Sequence, residues 1–133
     1  MPVFDLEESV GVWFDYPGGG RVQLKSPSPS DMMRMRKASV ELKPFLMNEK
    51  GDTPRVLNQE IMDIDKYSML YDDCSILSWE GFFDKNEKEI PCTMENKTFL
   101  MRMNNPAFRD FVNEKIKALD EAQMSKAEIE IKN

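Results

Sequence analysis

The stretch Ser78–Asn96, SWEGFFDKNEKEIPCTMEN, combines three local structural signals in one short segment. Its first part is apolar and aromatic, and Asp84–Glu89 is a run of polar side chains. Ile90 and Pro91 return to apolar character, and Thr93 has the side chain of a helix N-cap. We therefore predict a strand, a turn and a helix start, which together fasten the C-terminal helices to a sheet.

The polar run could also be a calcium-binding loop that begins at Asp84. In that alignment, Lys88 stands where an oxygen ligand is required, and Glu89 stands where the sharp turn requires glycine. A turn between two strand-like segments is the better interpretation of these residues.

Upstream of this stretch, the sequence predicts an N-terminal hairpin. Val10–Tyr16 and Arg21–Lys25 alternate in polarity on either side of the turn residues Pro17–Gly20. A phosphate-binding loop is the alternative role for these glycines, but the Lys-Ser/Thr pair and the following helix of a P-loop are missing. The apolar positions in Val3–Leu6 are compatible with a further edge strand.

The middle of the chain predicts two helices separated by a loop. Ser28 is a candidate N-cap, and the helix that follows it is expected to run from Pro29 to Leu42. Asn48–Pro54 has the composition of a polar loop. Apolar residues then recur every three to four positions, which predicts a second helix over Val56–Asp72.

Two more helices are predicted after Thr93, the second restarting at Asn105-Pro106 as N-cap and first residue. An apolar stripe marks the buried face of the last helix: Phe108, Val112, Ile116 and Leu119. The prediction is therefore one α+β domain over residues 1–123. It has a small antiparallel sheet, made of the N-terminal hairpin plus a strand near 77–83, packed against three to four helices. The tail 124–133 is expected to be a fraying helix or a mobile arm.

Composition excludes several classes of function. The chain has 133 residues, of which 41% are hydrophobic and 32% charged, as in an ordinary globular domain. Its formal charge of −6 disfavours nucleic acid and anionic membrane surfaces as partners. We expect no signal peptide and no membrane span. Cys74 and Cys92 lack the spacing of a redox or zinc motif, so a cytoplasmic protein with reduced thiols is expected.

Catalytic chemistry finds little support in the sequence. The absence of histidine excludes Ser-His-Asp and Cys-His catalysis and histidine metal sites within one subunit. The Asp72-Asp73 pair could share a proton or hold a metal, but adjacent acids near a helix end are more often exposed to solvent. Cys92 could be a nucleophile beside a helix N-terminus, although a semi-buried thiol is the better interpretation. We therefore predict no catalytic residues, no cofactor and no metal.

Protein binding is the function class that remains, and it has five candidate residues. Methionine packs adaptably at binding surfaces, and Met32, Met33 and Met35 cluster in the first predicted helix. Filling gaps in the core is the alternative role for these methionines. Phe82 and Phe83 are adjacent on a predicted strand, so one of them must face away from the core and could contact a partner.

The order of these features resembles the tail assembly chaperones encoded in the tail modules of phages and prophages. The similarity consists of a tryptophan-bearing hairpin with a glycine turn, a later W-x-G segment, a polar turn and C-terminal helices. The matching residues are Trp13, Phe14, Pro17, Gly19, Gly20, Trp79, Gly81, Asp84, Pro91, Glu95, Asn96 and Lys97. One departure is the Glu87–Glu89 segment, where such proteins often place a glycine.

The resemblance implies a non-enzymatic, self-associating helper of tail assembly in the bacterial host cytoplasm. Such a protein would bind the tail tube protein and the tape-measure protein and keep them soluble until they polymerise. Two alternatives stay open: a tail-completion or connector protein that is retained in the virion, and a small cytosolic protein-binding adaptor.

Overall fold

The computed structural model describes residues 11–48, 51, 53–102 and 105–132 and has an α+β fold. The elements in chain order are β1 (Val12–Asp15), β2 (Arg21–Leu24), α1 (Pro29–Ser39), β3 (Val40–Met47), β4 (Arg55–Met62), α2 (Ile64–Ser75), β5 (Ile76–Glu80), α3 (Met94–Arg102) and α4 (Pro106–Lys132). They form two compact units. The core unit contains the chain up to Pro27 and from Asp72 onward, and the inserted unit is Ser28–Tyr71. The single domain over 1–123 stays a prediction.

The core unit contains the antiparallel sheet that the sequence predicts. Its strand order is β1-β2-β5, so the N-terminal hairpin pairs with the later strand through β2. The glycine turn closes the hairpin, since the Tyr16 amide donates to the Gly20 carbonyl at 2.9 Å. The strand predicted near 77–83 begins at Ile76 and ends at Glu80, because Gly81 has a φ of 75° and turns the chain away.

The hydrophobic core lies between this sheet and the C-terminal helices. Its buried members are Val22, Leu24, Ile76, Trp79, Met101, Phe108, Val112 and Ile116. The last three belong to the predicted stripe of α4, and Leu119 packs partly buried against the same cluster. The stripe is confirmed, because residues three and four positions apart share one face of a helix.

Hydrogen bonds within the Ser78–Asn96 stretch hold its strand, its turn and its helix start together. Trp79 is buried, and its indole Nε1 donates to the Ile90 carbonyl at 2.7 Å. The Ile90 amide donates in turn to the Phe82 carbonyl at 2.7 Å, which closes the polar turn. The hydroxyl of Thr93 accepts from the Asn96 amide at 3.2 Å and caps α3. The predicted strand, turn and helix start are all present.

The inserted unit begins as the sequence predicts and then differs. The Ser28 hydroxyl accepts from the Asp31 amide at 3.0 Å, and the Asp31 carboxylate accepts from the Ser28 amide at 3.0 Å. This reciprocal cap starts α1 at Pro29. The helix ends at Ser39 rather than Leu42, because Val40 adopts an extended backbone and opens β3.

The prediction of a helix over Val56–Asp72 is wrong for its first half. Arg55–Met62 is instead β4, which pairs antiparallel with β3 from Val40↔Met62 to Met47↔Arg55. Residues 43–47, which lie between the predicted helix and the predicted loop Asn48–Pro54, belong to β3. Cross-strand pairing with the neighbouring strand β3 overrides the apolar period within this segment. The helix α2 begins only at Ile64.

Two expectations concern the ends of the chain. The backbone of α4 continues through most of the expected tail, to Lys132, while Asn133 lies outside the described residues. The edge strand suggested over Val3–Leu6 also lies outside them. The mobility of the tail stays a prediction.

Candidate protein-binding surfaces

An aromatic cluster occupies one end of the core unit. The Tyr16 ring centroid lies 5.5 Å from that of Phe82 and 5.0 Å from that of Phe111, both in edge-on geometry. Phe82 also lies 5.6 Å from Trp79 and 5.8 Å from Phe108. Such offset and edge-on pairs add to the stability gained by burial. Phe82, one of the five candidate contact residues, therefore packs partly buried against the core.

A shallow cleft of about 320 Å³ lies over this cluster. Its lining consists of Tyr16, Pro17, Gly18, Gly19, Gly81, Phe82, Phe83, Ile90, Leu100, Asn105 and Phe108. The Phe83 side chain is 61% exposed beside it, as expected for the phenylalanine that points away from the core. The only ionisable group in this lining is the Tyr16 phenol. The cleft is therefore suited to an apolar side chain of a partner rather than to acid–base chemistry.

The candidate methionines belong to the inserted unit and differ in exposure. Met32 and Met33 are exposed on α1, whereas Met35 is 6% exposed. Met35 is therefore packed in the interior, and only Met32 and Met33 are accessible to a partner. The three methionines lie on one helix, but neighbouring residues of a helix point in different directions, so the three side chains need not share one face.

Many exposed apolar side chains lie on the β3–β4 hairpin, which the sequence analysis did not single out. Every residue of β4, and every residue of β3 after Val40, is exposed. The exposed large apolar residues are Leu42, Phe45, Leu46, Met47, Val56, Leu57, Ile61 and Met62. Exposed apolar side chains in this number favour an interaction site. The sequence signal that could have revealed the hairpin is the turn-rich segment Asn48–Pro54, which separates two stretches of similar length.

The hairpin has two distinct faces. Cross-strand partners share a face, so Leu42, Leu46 and Val56 lie on one and Phe45 and Leu57 on the other. The first three are 64%, 67% and 68% exposed, and the last two are 40% and 39% exposed. Leu46 lies directly opposite Val56, so the most exposed apolar pair is on the first face.

Asp72 and Asp73 lie in two different environments and do not form a shared carboxylate site. Asp72 is buried, against the expectation that both acids face solvent. Burial raises the pKa of its carboxyl to about 6, partly offset by the positive charge of Arg102. The Asp73 carboxylate instead pairs with the buried Lys97, whose Nζ lies 3.1 Å from Oδ1 and 3.3 Å from the Asp73 carbonyl. This contact joins α3 to the end of α2.

Cys92 is a partly buried thiol packed against the core, as expected. Burial raises its pKa, with the positive charge of Lys97 acting in the opposite direction. A raised pKa reduces the thiolate fraction at neutral pH, which disfavours a nucleophilic role.

The polar turn is held by backbone amides that donate to one carboxylate. Asp84 Oδ1 accepts from the amides of Asn86 at 2.8 Å and Lys88 at 3.1 Å. Glu87 has a φ of 62°, in the left-handed region that favours glycine. Among the residues that the structure describes, no group of three His, Cys, Asp or Glu side chains could hold a metal ion.

Comparisons with known proteins add no relative to these observations. No protein-family model, no curated protein and no solved structure matches this chain. Among the helices described, none combines the length and apolar character needed to cross a membrane.

Proposed function

We propose that this protein is a non-catalytic protein-binding factor that acts as a phage or prophage tail assembly chaperone. It would bind the tail tube protein and the tape-measure protein in the host cytoplasm before these polymerise. The observation that carries the proposal is the apolar surface of the β3–β4 hairpin. Three of its side chains, Leu42, Leu46 and Val56, are each more than 60% exposed.

An exposed apolar surface suits a chaperone because its clients expose apolar surface before assembly. Burial of such surface is favourable by roughly 25 cal/mol per Å². The surrounding acidic charge, −6 over the chain, favours solubility of the complex. The choice of tail proteins as clients is supported by the resemblance in the hairpin and in the Trp79–Lys97 segment.

The direct test is co-expression with the tail tube and tape-measure proteins of a phage or prophage that encodes this chain. We expect a soluble complex that survives affinity capture and size-exclusion chromatography. Absence of any complex with either protein would contradict the proposal. Mass spectrometry of purified particles separates a chaperone, which should be missing from them, from a connector or completion protein that is retained.

Matched substitutions locate the binding surface. Leu46→Lys combined with Val56→Lys should abolish capture while changing the free energy of unfolding by about 0.5 kcal/mol or less per site, since both side chains are exposed. Thr53→Lys, an exposed polar position in the hairpin loop, is the matched control and should retain capture. Met33→Lys and Phe83→Lys test the other exposed candidates in parallel. Capture that withstands both hairpin substitutions would remove the hairpin from the proposal.

A further inference from the structure

The backbone of the β3–β4 hairpin has one open edge and one blocked edge. The Asp63 amide donates to the Ser39 carbonyl at 2.8 Å, and these residues follow Val40↔Met62 in the register. Antiparallel pairs alternate between hydrogen-bonded and non-hydrogen-bonded. Pro44, opposite Asn58, therefore belongs to a non-hydrogen-bonded pair, and its missing N–H lies on the outer side of β3.

The outer edge of β4 has no such interruption. By the same alternation, the N–H and C=O groups of Val56, Asn58, Glu60 and Met62 point away from β3. The described part of the chain places no strand against this edge, and β3 is the only partner of β4 within it. A long, exposed and unblocked edge strand is a template for pairing with another chain.

The sequence of this edge is complementary to itself. Two antiparallel copies related by a two-fold axis perpendicular to the sheet must pair residues that lie on the same face. When Gln59 is placed opposite Gln59 of a second copy, Arg55 faces Asp63, Val56 faces Met62 and Leu57 faces Ile61. Opposite charges thus meet at Arg55 and Asp63 and apolar side chains meet at the next two pairs, while Asn58 faces Glu60 as a polar pair.

Neighbouring registers lose this match. A shift that centres the axis on Asn58 places Val56 opposite Glu60, and one that centres it on Glu60 places two carboxylates opposite each other. Like charges directly opposite are destabilising. In the Gln59 register, moreover, the outward-pointing residues form the hydrogen-bonded pairs, which gives about eight interstrand bonds.

We propose that the partner of this edge is a second copy of the same chain. The two β4 strands pair antiparallel about Gln59 and form a four-stranded sheet of order β3-β4-β4-β3. Pro44 blocks both outer strands of that sheet, so the assembly closes as a dimer instead of growing into a fibre. This inference is tested separately from the proposed function, because Asn58→Pro acts on the backbone edge, whereas Val56 belongs both to the edge pairing and to the side-chain surface proposed to bind clients.

The first test is the solution mass of the full chain by light scattering and sedimentation at several concentrations. We expect a reversible dimer, with twice the chain mass of 15.5 kDa. Asn58→Pro removes an outward N–H and should weaken dimerisation on the order of 30-fold, because two intersubunit hydrogen bonds are lost. Leu42→Pro, at an outward position of β3, is the matched control and should leave the dimer affinity within about threefold.

The register is tested separately by charge and by cross-linking. Arg55→Glu places like charges opposite Asp63 twice per dimer and should weaken it at low salt, whereas Arg55→Gln should have a smaller effect. If circular dichroism shows that Asn58→Pro does not fold, Arg55→Glu, at an exposed position, tests the dimer in its place. Under oxidation, Gln59→Cys should form an intersubunit disulfide and Leu57→Cys should not. Peptide mass mapping distinguishes it from bonds to the native Cys74 and Cys92.

Three results would overturn the proposal. The first is a chain that stays monomeric at high micromolar concentration in the absence of clients, whether or not its β4 edge pairs with a strand of a client. The second is a dimer that Asn58→Pro leaves intact. The third is cross-linking at position 57 in preference to position 59. Client capture is measured independently, so an unmutated chain that is monomeric and still captures clients would overturn this inference and not the proposed function.

Discussion

Asp72 and Asp73 are adjacent in the chain but have opposite relations to solvent and charge. Asp72 is buried with a raised pKa, and Asp73 pairs with Lys97. Sequence reasoning treated them as one exposed cluster because both occur near a helix end. Which of two neighbouring side chains turns inward depends on the packing around that end of α2. The sequence therefore does not indicate which individual carboxylate is buried and which is paired with a charge.

The raised pKa of Asp72 predicts a pH dependence of stability. Its folded-state pKa of about 6 exceeds the ordinary value of 3.8, so the folded protein binds the proton more tightly than the unfolded chain. The free energy of unfolding should therefore fall as pH rises from about 4 to about 6, by roughly 1–3 kcal/mol. Asp72→Asn should flatten this dependence and stabilise the protein at neutral pH.

Urea unfolding as a function of pH measures this effect. Asp73→Asn is the matched control, because it removes the partner of a buried lysine and should destabilise the protein by about 1–3 kcal/mol at neutral pH. Equal effects of the two substitutions at neutral pH would contradict the difference in environment.

At the scale of elements, the glycine turn and the end of β5 form one close-packed joint. Gly20 has a φ of 79°, and a Cβ there would lie 2.8 Å from the carbonyl oxygens of Glu80 and Gly81. Gly81 has a φ of 75°, and its Cβ would lie 2.9 Å from Gly20 Cα. The turn between β1 and β2 is therefore part of the contact that ends β5, in addition to closing the hairpin.

This joint predicts unequal effects of alanine at two glycines of the same turn. Gly20→Ala combines a left-handed backbone with a steric clash and should destabilise the protein by about 2–4 kcal/mol. Gly18 also has a positive φ of 96°, but a Cβ there would meet nothing within 4 Å. Gly18→Ala should therefore destabilise by only about 1–2 kcal/mol. Thermal and urea unfolding measure both, and a larger effect at Gly18 would contradict the close packing.

At the scale of the whole molecule, burial is distributed unequally between the two units. The core unit contains the connected cluster around Val22, Ile76 and Val112, all fully buried. The described residues of the inserted unit include only two buried ones, Met35 and Ser39. An isolated two-stranded hairpin is at best marginally stable in water.

Hydrogen exchange should show this difference directly. Amides of β2, β5 and the Phe108–Ile116 part of α4 should exchange slowest, because their opening requires disruption of the core. Inward-pointing β4 amides, such as those of Leu57 and Ile61, should exchange faster. The difference in exchange rate between these amides and the core amides should increase on dilution if a dimer dissociates. Mass-spectrometric exchange at two protein concentrations measures both. Protection of the hairpin equal to that of β2, independent of concentration, would contradict marginal stability.

The sequence by itself determined the features that depend on neighbouring residues. The caps at Ser28 and Thr93, the start of α4 at Pro106, the glycine hairpin and the stripe of α4 are set by spacings of a few residues, and each is present in the structure. The α+β class followed from them. Only the tertiary structure decided that Arg55–Met62 is a strand, because its apolar period suits a helix and its eight cross-strand pairs come from residues 40–47. It also decided that Phe82 packs inward while Phe83 is exposed, and that Asp72 is buried. Each of these depends on contacts with another strand or helix, which the apolar period within one segment cannot encode.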